Sequence, residues 1–282
     1  TTFAALAGLG AGIEPLAAAG HLPATVTGGG LRSGVVRVPG DASSQFLSGL
    51  LLIGPCLDDG LVLEVTTELV SRPYVDLTIA VNPGGYRAVH YSGAPDASAA
   101  SYPLAAAAIC GGRVRVEGLT AGAIQGDVRF ADVLAEMGAT VVADDRGIEV
   151  RAEAGSLRGG TFDLTHFSDT AQTLAVVAPF AGSPVTVTGI GFIRRKETDR
   201  IAAVATELAR CGIAVTVDPD GWTISPGRPR PTVVQTYDDH RMAMSFALLG
   251  LAAEGIEIAD PGCVAKTFPG YWQLLGRVSG RA

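Results

Sequence analysis

The sequence predicts an α/β chain of the α+β type, folded as two lobes assembled from repeats of a βαβαββ unit. Three observations lead there. Strand-like and helix-like stretches alternate over all 282 residues, a length that can fill two cores. Apolar residues make up 48% of the chain and charged residues only 17%, the balance of a packed globular protein. Four Asp-led helix starts, at Asp41, Asp96, Asp169 and Asp239, recur at separations of 55, 73 and 70 residues. The repeat is therefore about seventy residues long, and its first copy is short.

The elements follow in order. The opening TTFAALAGLG lacks the basic, apolar and cleavage-site order of a secretion signal. No apolar run reaches the roughly 18–20 residues of a membrane span, so the expected location is the cytoplasm, with no membrane partner. The glycines at 28–30 have neither the Walker lysine nor GxGxxG spacing and read as a turn. DASSQFLSGLLLIGPCLDDGLVLEV (41–65) and DASAASYPLAAAAICGGRVRVEGL (96–119) each read as a polar-led helix followed by a strand. In GDVRFADVLAEMGATVVADDRGIEVRA (126–152), Phe130, Val133, Leu134 and Met137 share one helical face, Gly138 stops the helix, and two short apolar runs flank ADDRG. ETDRIAAVATELARCGIAVTVDPDGWTIS (197–225) repeats that plan, with Ile201, Val204 and Leu208 on the apolar face, Gly212 as the stop and DPDG as the turn. Asp127, and Thr198 or Asp199, can cap these two helices. SDTAQTLAVVAPFAGSPVTVTGI (168–190) and DHRMAMSFALLGLAAEGIEIAD (239–260) supply two more helix–strand pairs.

Several helix N-termini then converge, and such ends attract phosphate and carboxylate. Asp96 needs no role beyond capping. SSQ at 43–45 and SDTAQ at 168–172 carry more polar groups than one cap uses, which points to an anionic ligand. The net charge of −7 and pI near 5.1 exclude nucleic acid as the main partner, so any anion site must be local. Cys56, Cys110, Cys211 and Cys263 lie far apart without metal-ligand spacing and read as buried thiols. Of the 21 basic residues only Lys196 and Lys266 are lysines. Lys196 falls inside RRKETDR, a concentration of charge in an apolar chain, and Lys266 inside CVAKTFPGYW.

GDASSQFLSGLLL, SRPYVD, SDTAQTLAV, RRKETDR, DDHRMAMSFAL and AKTFPGYW occur in the order and approximate spacing of the EPSP synthase (3-phosphoshikimate 1-carboxyvinyltransferase) family. The chain resembles that family from residue 1 to about 275, over the later two-thirds of the family's length. The resemblance implies a two-domain inverse αβ barrel, with residues 1–93 the remaining part of a first domain and 94–282 the second. It implies transfer of the enolpyruvyl group of phosphoenolpyruvate to the 5-hydroxyl of shikimate 3-phosphate, in the shikimate pathway of aromatic amino-acid biosynthesis. No cofactor or metal is implied, and a complete chain would be a monomer. Two departures stand out. The family's earlier Lys-Ser-x-x-x-Arg, Gly-rich and Arg-Pro segments are absent, so the sequence reads as a fragment that is not expected to turn over alone. After VDLTIAVNPGG the chain passes almost directly to the next unit, skipping about one helix tail and a strand.

By resemblance, Ser43, Ser44 and Gln45 bind shikimate 3-phosphate, Gln45 also reaching phosphoenolpyruvate. Ser71, Tyr74 and Lys196 are further phosphoshikimate contacts. Asp169 is the base for the 5-hydroxyl proton and also a phosphoshikimate contact, while Glu197 is a second proton-handling carboxylate. Arg200, Arg241 and Lys266 clamp phosphoenolpyruvate, with Asp239 and His240 lining its pocket. Two anionic substrates require such converging cations, and proton transfer requires a positioned carboxylate or lysine. Arg194 and Arg195 read as solvated charges, and Phe192 stands where many relatives have Asn. Three alternatives stay open. They are a non-catalytic or degenerate relative, a UDP-N-acetylglucosamine enolpyruvyl transferase with a reactive cysteine, and an RNA 3′-terminal phosphate cyclase, which would need a basic surface.

Overall fold

The structure, a computed structural model, describes residues 2–41, 43–81, 86, 90 and 93–280. The chain divides into two compact units, Thr1–Ser92 and Gly93–Ala282.

The first unit contains α1 (Thr2–Gly8), β1 (Gly12–Pro15), β2 (Ala24–Thr27), β3 (Gly34–Val38), α2 (Ser44–Ile53), β4 (Leu61–Val65) and α3 (Arg72–Val81). β1 and β2 pair antiparallel, whereas β3 and β4 pair parallel with α2 as their crossover. A parallel pair needs such a connection, and it buries one helix face on the strands. Val36, Val38, Leu47, Leu50 and Val75 form that core with Ala5 and Leu9. Asp41 leads into α2, but the cap is Ser43, whose hydroxyl accepts from the Gln45 N–H at 3.3 Å. Gly29 and Gly30 have φ of +101° and +98° in the turn before β3. The expected loss of a helix tail and a strand falls on residues 82–92, most of which lie outside the described residues.

The second unit contains α4 (Ala97–Cys110), β5 (Gly112–Glu117), α5 (Phe130–Glu136), β6 (Thr140–Ala143), β7 (Gly147–Ala152), β8 (Gly160–Asp163), α6 (Ala171–Val177), β9 (Val185–Thr188), α7 (Arg200–Arg210), β10 (Val215–Asp218), β11 (Gly221–Ile224), β12 (Thr232–Val234), α8 (His240–Ala247), α9 (Leu249–Ala252), β13 (Ile256–Ile258) and α10 (Tyr271–Val278). One whole βαβαββ copy runs from β8 to β11: β8 and β9 are parallel, and β11 pairs antiparallel with both β9 and β10. In the preceding copy β7 pairs antiparallel with β5 and β6. In the following one β12 and β13 are parallel around α8 and α9. Asp199 caps α7 through the Ala202 N–H at 2.9 Å, and Ile201, Val204 and Leu208 form its buried face. The N-cap position of α5 is Arg129, not Asp127. The helix is entered through a 3₁₀ turn over Gly126–Arg129, and Asp127 lies buried within it, accepting from Gln125 Nε2 at 3.3 Å.

α4, α6 and α8 make the interior. Hydroxyls stitch them together: Ser101 Oγ lies 3.1 Å from Thr173 Oγ1, which lies 3.4 Å from Ser245 Oγ, and each step is 72 residues. Among these hydroxyls the repeat is thus 72, although Asp96 and Asp239, which cap α4 and α8 alike through the N–H two residues on, are 143 residues apart. Counted at the 72-residue interval, Asp96 falls on Ser168 and His240, while Asp169 falls on Ala97 and Arg241. The expectation of four buried thiols fails for three. Cys211 is buried, but Cys56 is exposed in the 3₁₀ turn after α2, Cys110 is exposed at the end of α4, and Cys263 is half-buried with Sγ donating to the Asp260 carbonyl. Gly-flanked positions fall at element ends, where the chain turns outward. Among the described residues no helix is long and apolar enough to cross a membrane.

Candidate active site

The starts of α6, α7 and α8 bring six charged side chains of the second unit together, Lys266 from the 3₁₀ turn before α10 adds a seventh, and His240 lies beside them. At the bottom is Arg200, the first residue of α7, whose side chain is 1% exposed. Its Nε donates to Asp239 Oδ2 at 2.7 Å and its Nη2 to Asp239 Oδ1 at 3.3 Å, a two-pronged pairing that matches guanidinium to carboxylate. Nη2 also donates to Glu197 at 2.7 Å, and Nη1 to Asp169 at 3.4 Å. Asp239 is itself fixed by capping α8 through the Arg241 N–H at 2.8 Å.

Outward from Arg200, cations and carboxylates alternate. Asp169 accepts from Arg241 Nη2 at 2.7 Å and lies 3.9 Å from Lys196 Nζ. Glu197 accepts from Lys266 Nζ at 2.9 Å. Exposure grades from Asp239 at 0% through Arg241, Lys196 and Asp169 at 13–17% to Lys266 at 57%. Burial works to raise the Asp169 carboxyl, but Arg241, Lys196 and Arg200 outweigh it and hold the group well below the usual carboxylate range. Glu197 behaves likewise: burial opposes its charge, yet Arg200 and Lys266 hold it at about 2. His240 is pushed below its ordinary value by burial and by Arg241, and its buried Nδ1 meets no hydrogen-bond partner among the described residues.

The segment delivering Asp239, His240 and Arg241 is unusual in its backbone. Tyr237 and Asp238 both have positive φ, +55° and +56°, in the left-handed region that non-glycine residues adopt at a cost. Beneath them Glu207 of α7, fully buried, accepts from the Gln235 N–H at 2.9 Å and the Tyr237 hydroxyl at 2.8 Å.

The family model of EPSP synthase (3-phosphoshikimate 1-carboxyvinyltransferase) matches residues 1–83 and 79–275. The chain belongs to the EPSP synthase family. It is 47% identical to the 3-phosphoshikimate 1-carboxyvinyltransferase of Laribacter hongkongensis, with 96% of this chain and 68% of that protein covered. With that of Nostoc punctiforme it shares 43% over 90% of this chain and 64% of the relative. The chain thus spans about two-thirds of the length of these relatives. The solved EPSP synthase of Acinetobacter baumannii superposes with a TM-score of 0.71 at 26% identity, over 98% of this chain and 69% of that one. The enolpyruvyl transferase NikO of Streptomyces tendae, at 17% identity and a TM-score of 0.67, shares the fold; 98% of this chain and 70% of NikO are covered. The two-domain inverse αβ fold expected of an EPSP synthase is therefore the fold of this chain.

The remaining residues expected to contact substrate in an EPSP synthase lie in the first unit. Ser43 caps α2, Ser44 is buried and Gln45 is exposed. Ser71 precedes α3 with φ +53°, its buried hydroxyl without a partner among the described residues. Tyr74 stands half-buried in the first turn of α3, beside α2, where Ser48 Oγ donates to its carbonyl at 3.5 Å. Arg194 is not the solvated charge expected. It pairs with Asp199 at 3.1 Å and donates to the carbonyls of Asp218 and Pro219, bracing the DPDG turn against α7. Phe192 is buried packing. Sequence reading missed Glu207, although its place on the apolar face between Val204 and Leu208 was a signal. It also missed Tyr102, a fully buried phenol raised by burial to about 12 despite the pull of Arg241.

The low Glu197 value has a measurable consequence. Between its ordinary 4.5 and about 2 the unfolded chain binds a proton that the native site does not. Stability therefore falls as pH is lowered through that window. Glu197→Gln is expected to flatten this part of the curve, measured as urea midpoints from pH 5 to pH 2; an unchanged slope would remove Glu197 from the titration.

Proposed function

We propose that the charged cluster of the second unit holds phosphoenolpyruvate and carries the proton transfers by which its enolpyruvyl group passes to the 5-hydroxyl of shikimate 3-phosphate, releasing phosphate. The observation that supports this reading most directly is Asp169, held by three cations where three helices start. Held by these cations, Asp169 is too strongly stabilised as an anion to be an effective base, because a base works best with a pKa near the operating pH. Arriving phosphate and carboxylate groups compete for Arg241, Lys196 and Lys266. As these cations turn to substrate, Asp169 and Glu197 lose their counter-charges while the burial that opposes their charge remains. Both carboxylates then rise toward useful values only when substrate is bound.

In this scheme Glu197 delivers a proton to the methylene carbon of the enol, Asp169 takes the proton of the attacking hydroxyl, and that oxygen bonds to C2. The tetrahedral adduct expels phosphate as the Glu197 carboxylate takes a proton back from the new methyl group, and the departing phosphate carries off the proton held by Asp169. Fixed cations stabilise the charge that develops. Lys266 and Arg241 hold phosphoenolpyruvate, with Asp239 and His240 lining its pocket. Lys196 holds shikimate 3-phosphate; the family resemblance assigns Ser43, Ser44, Gln45, Ser71 and Tyr74 of the first unit to the same ligand, and Gln45 also to phosphoenolpyruvate. Arg200 contributes through its grip on Glu197 and Asp239, and would reach an anion only where Glu197 gives way. The complete activity, with these substrates, is proposed for the chain as part of such an enzyme.

Calorimetric titration tests the division of labour. Lys266→Met is expected to weaken phosphoenolpyruvate binding about tenfold, as for loss of a charge-assisted contact at a half-exposed position, with shikimate 3-phosphate affinity little changed. Lys196→Met should do the reverse. Identical effects of the two variants on both ligands would overturn the assignment.

A further inference from the structure

We propose that Glu207 is a positioning residue for the candidate site: its carboxylate, bridging the Gln235 N–H and the Tyr237 hydroxyl, latches the left-handed pair Tyr237–Asp238 that aims Asp239 and Arg241. Glu207 touches none of the charged residues in the cluster. It is nevertheless fully buried on α7, seven residues after Arg200, in a place where the neighbouring face is Val204 and Leu208. A buried carboxylate is kept only where it is hydrogen-bonded or paired. Here one oxygen takes the Gln235 amide at 2.9 Å, and the other takes the Tyr237 hydroxyl at 2.8 Å and faces Arg210 Nη1 at 3.5 Å.

These bonds land on one short segment. It runs from β12 through Gln235, the buried Thr236, and Tyr237 and Asp238, two exposed residues with φ of +55° and +56°. The Asp239 N–H then donates back to the Thr236 carbonyl at 2.9 Å, closing the turn. Left-handed backbone is unfavourable for an L-residue, less so for aspartate than for tyrosine, so two in succession need external support. Asp238 makes no hydrogen bond or ion pair within the described residues that would provide it, whereas Tyr237 is tied directly to Glu207. The residue after the pair is Asp239, which must meet Arg200 at 2.7 Å and cap α8 at the same time. Since Arg200 and Glu207 are both on α7, a single helix fixes the turn at its two ends: Arg200 at the carboxylate that leaves it, and Glu207 at the amide and phenol that enter it. Loss of the latch lets Asp239 and Arg241 drift, which weakens the pocket assigned to phosphoenolpyruvate more than that assigned to the phosphoshikimate.

This inference rests on the assignment of Arg241 to phosphoenolpyruvate, and the test separates the two. Tyr237→Phe removes one oxygen at an exposed position and is expected to keep the melting temperature within a few degrees. Phosphoenolpyruvate affinity should fall about 3- to 10-fold by calorimetry, with shikimate 3-phosphate affinity unchanged within about twofold. Glu207→Gln should lose at least as much, and the double variant no more than the worse single one. Adding Asp238→Gly, which takes positive φ without steric cost, should restore part of the affinity lost in Tyr237→Phe. Unchanged affinity in Tyr237→Phe, equal losses for both ligands, or no recovery with Asp238→Gly would each overturn the latch. Arg241→Ala serves as the control. If it does not weaken phosphoenolpyruvate binding, the pocket assignment fails, and the latch then stands or falls on whether Tyr237→Phe and Glu207→Gln are non-additive in urea unfolding.

Discussion

Arg200→Met is expected to lower the stability of the second unit by about 3–5 kcal/mol, the cost of removing one partner from a buried ion pair and leaving the other charge uncompensated. Asp239 is 0% exposed and takes two bonds from Arg200, and Glu197 takes a third. Methionine fills the volume of the stem, so the loss reports charge rather than a cavity. Both tryptophans, Trp222 and Trp272, lie in the second unit, and urea unfolding followed by their fluorescence isolates it. Arg200→Lys should recover only part of the loss, because an ammonium cannot reproduce the two-pronged contact with Asp239. A change below about 1 kcal/mol in Arg200→Met would mean that the carboxylates around it are satisfied from elsewhere.

Asp169→Asn is expected to lower phosphate release from phosphoenolpyruvate and shikimate 3-phosphate by roughly 10²- to 10⁴-fold, the contribution of a general base. Binding of phosphoenolpyruvate should hold or tighten, because the substitution removes the carboxylate that competes with the ligand for Arg241. Release is measured with the chain alone and with the amino-terminal third of a relative added in trans, and binding by calorimetry. Undiminished turnover would exclude Asp169 as the base. Lost binding together with lost turnover would make it a structural anchor instead.

Helices α2 and α4–α8 and most strands were legible because apolar spacing and glycine stops are local signals, whereas α1 and α10 were not read. Ile201, Val204 and Leu208 define α7, and Gly212, at φ +80°, ends it. The conjunction of charges was legible as well, since RRKETDR and DDHRMAM stand out against an apolar chain. What could not be read was which charge pairs with which. Arg200 has the same composition signature as Arg194, yet one is buried among carboxylates and the other braces a turn. Capping was half legible: Asp199 and Asp96 cap as their positions suggest, while Asp127 is displaced by a 3₁₀ entry that no local pattern marks. The thiols misled because apolar neighbours in sequence do not fix which way the last residue of a helix faces, as Cys110 demonstrates. The left-handed pair at Tyr237–Asp238 left no trace, since neither residue is glycine.

The 72-residue offset bears on the ancestry of the site. Asp169 and Arg241 are separated by the same interval that relates Thr173 to Ser245, so the ion pair joins corresponding positions of successive copies. Where copies descend from one duplicated gene, corresponding positions begin as the same amino acid. Two hydroxyls can bond each other without change, and Ser101, Thr173 and Ser245 still do. Two aspartates or two arginines in that place would repel. The contact between Asp169 and Arg241 could therefore form only after the copies had diverged, with Ala97 holding the uncharged third version. By that interval the hydroxyl contacts can be as old as the duplication, whereas this ion pair is younger.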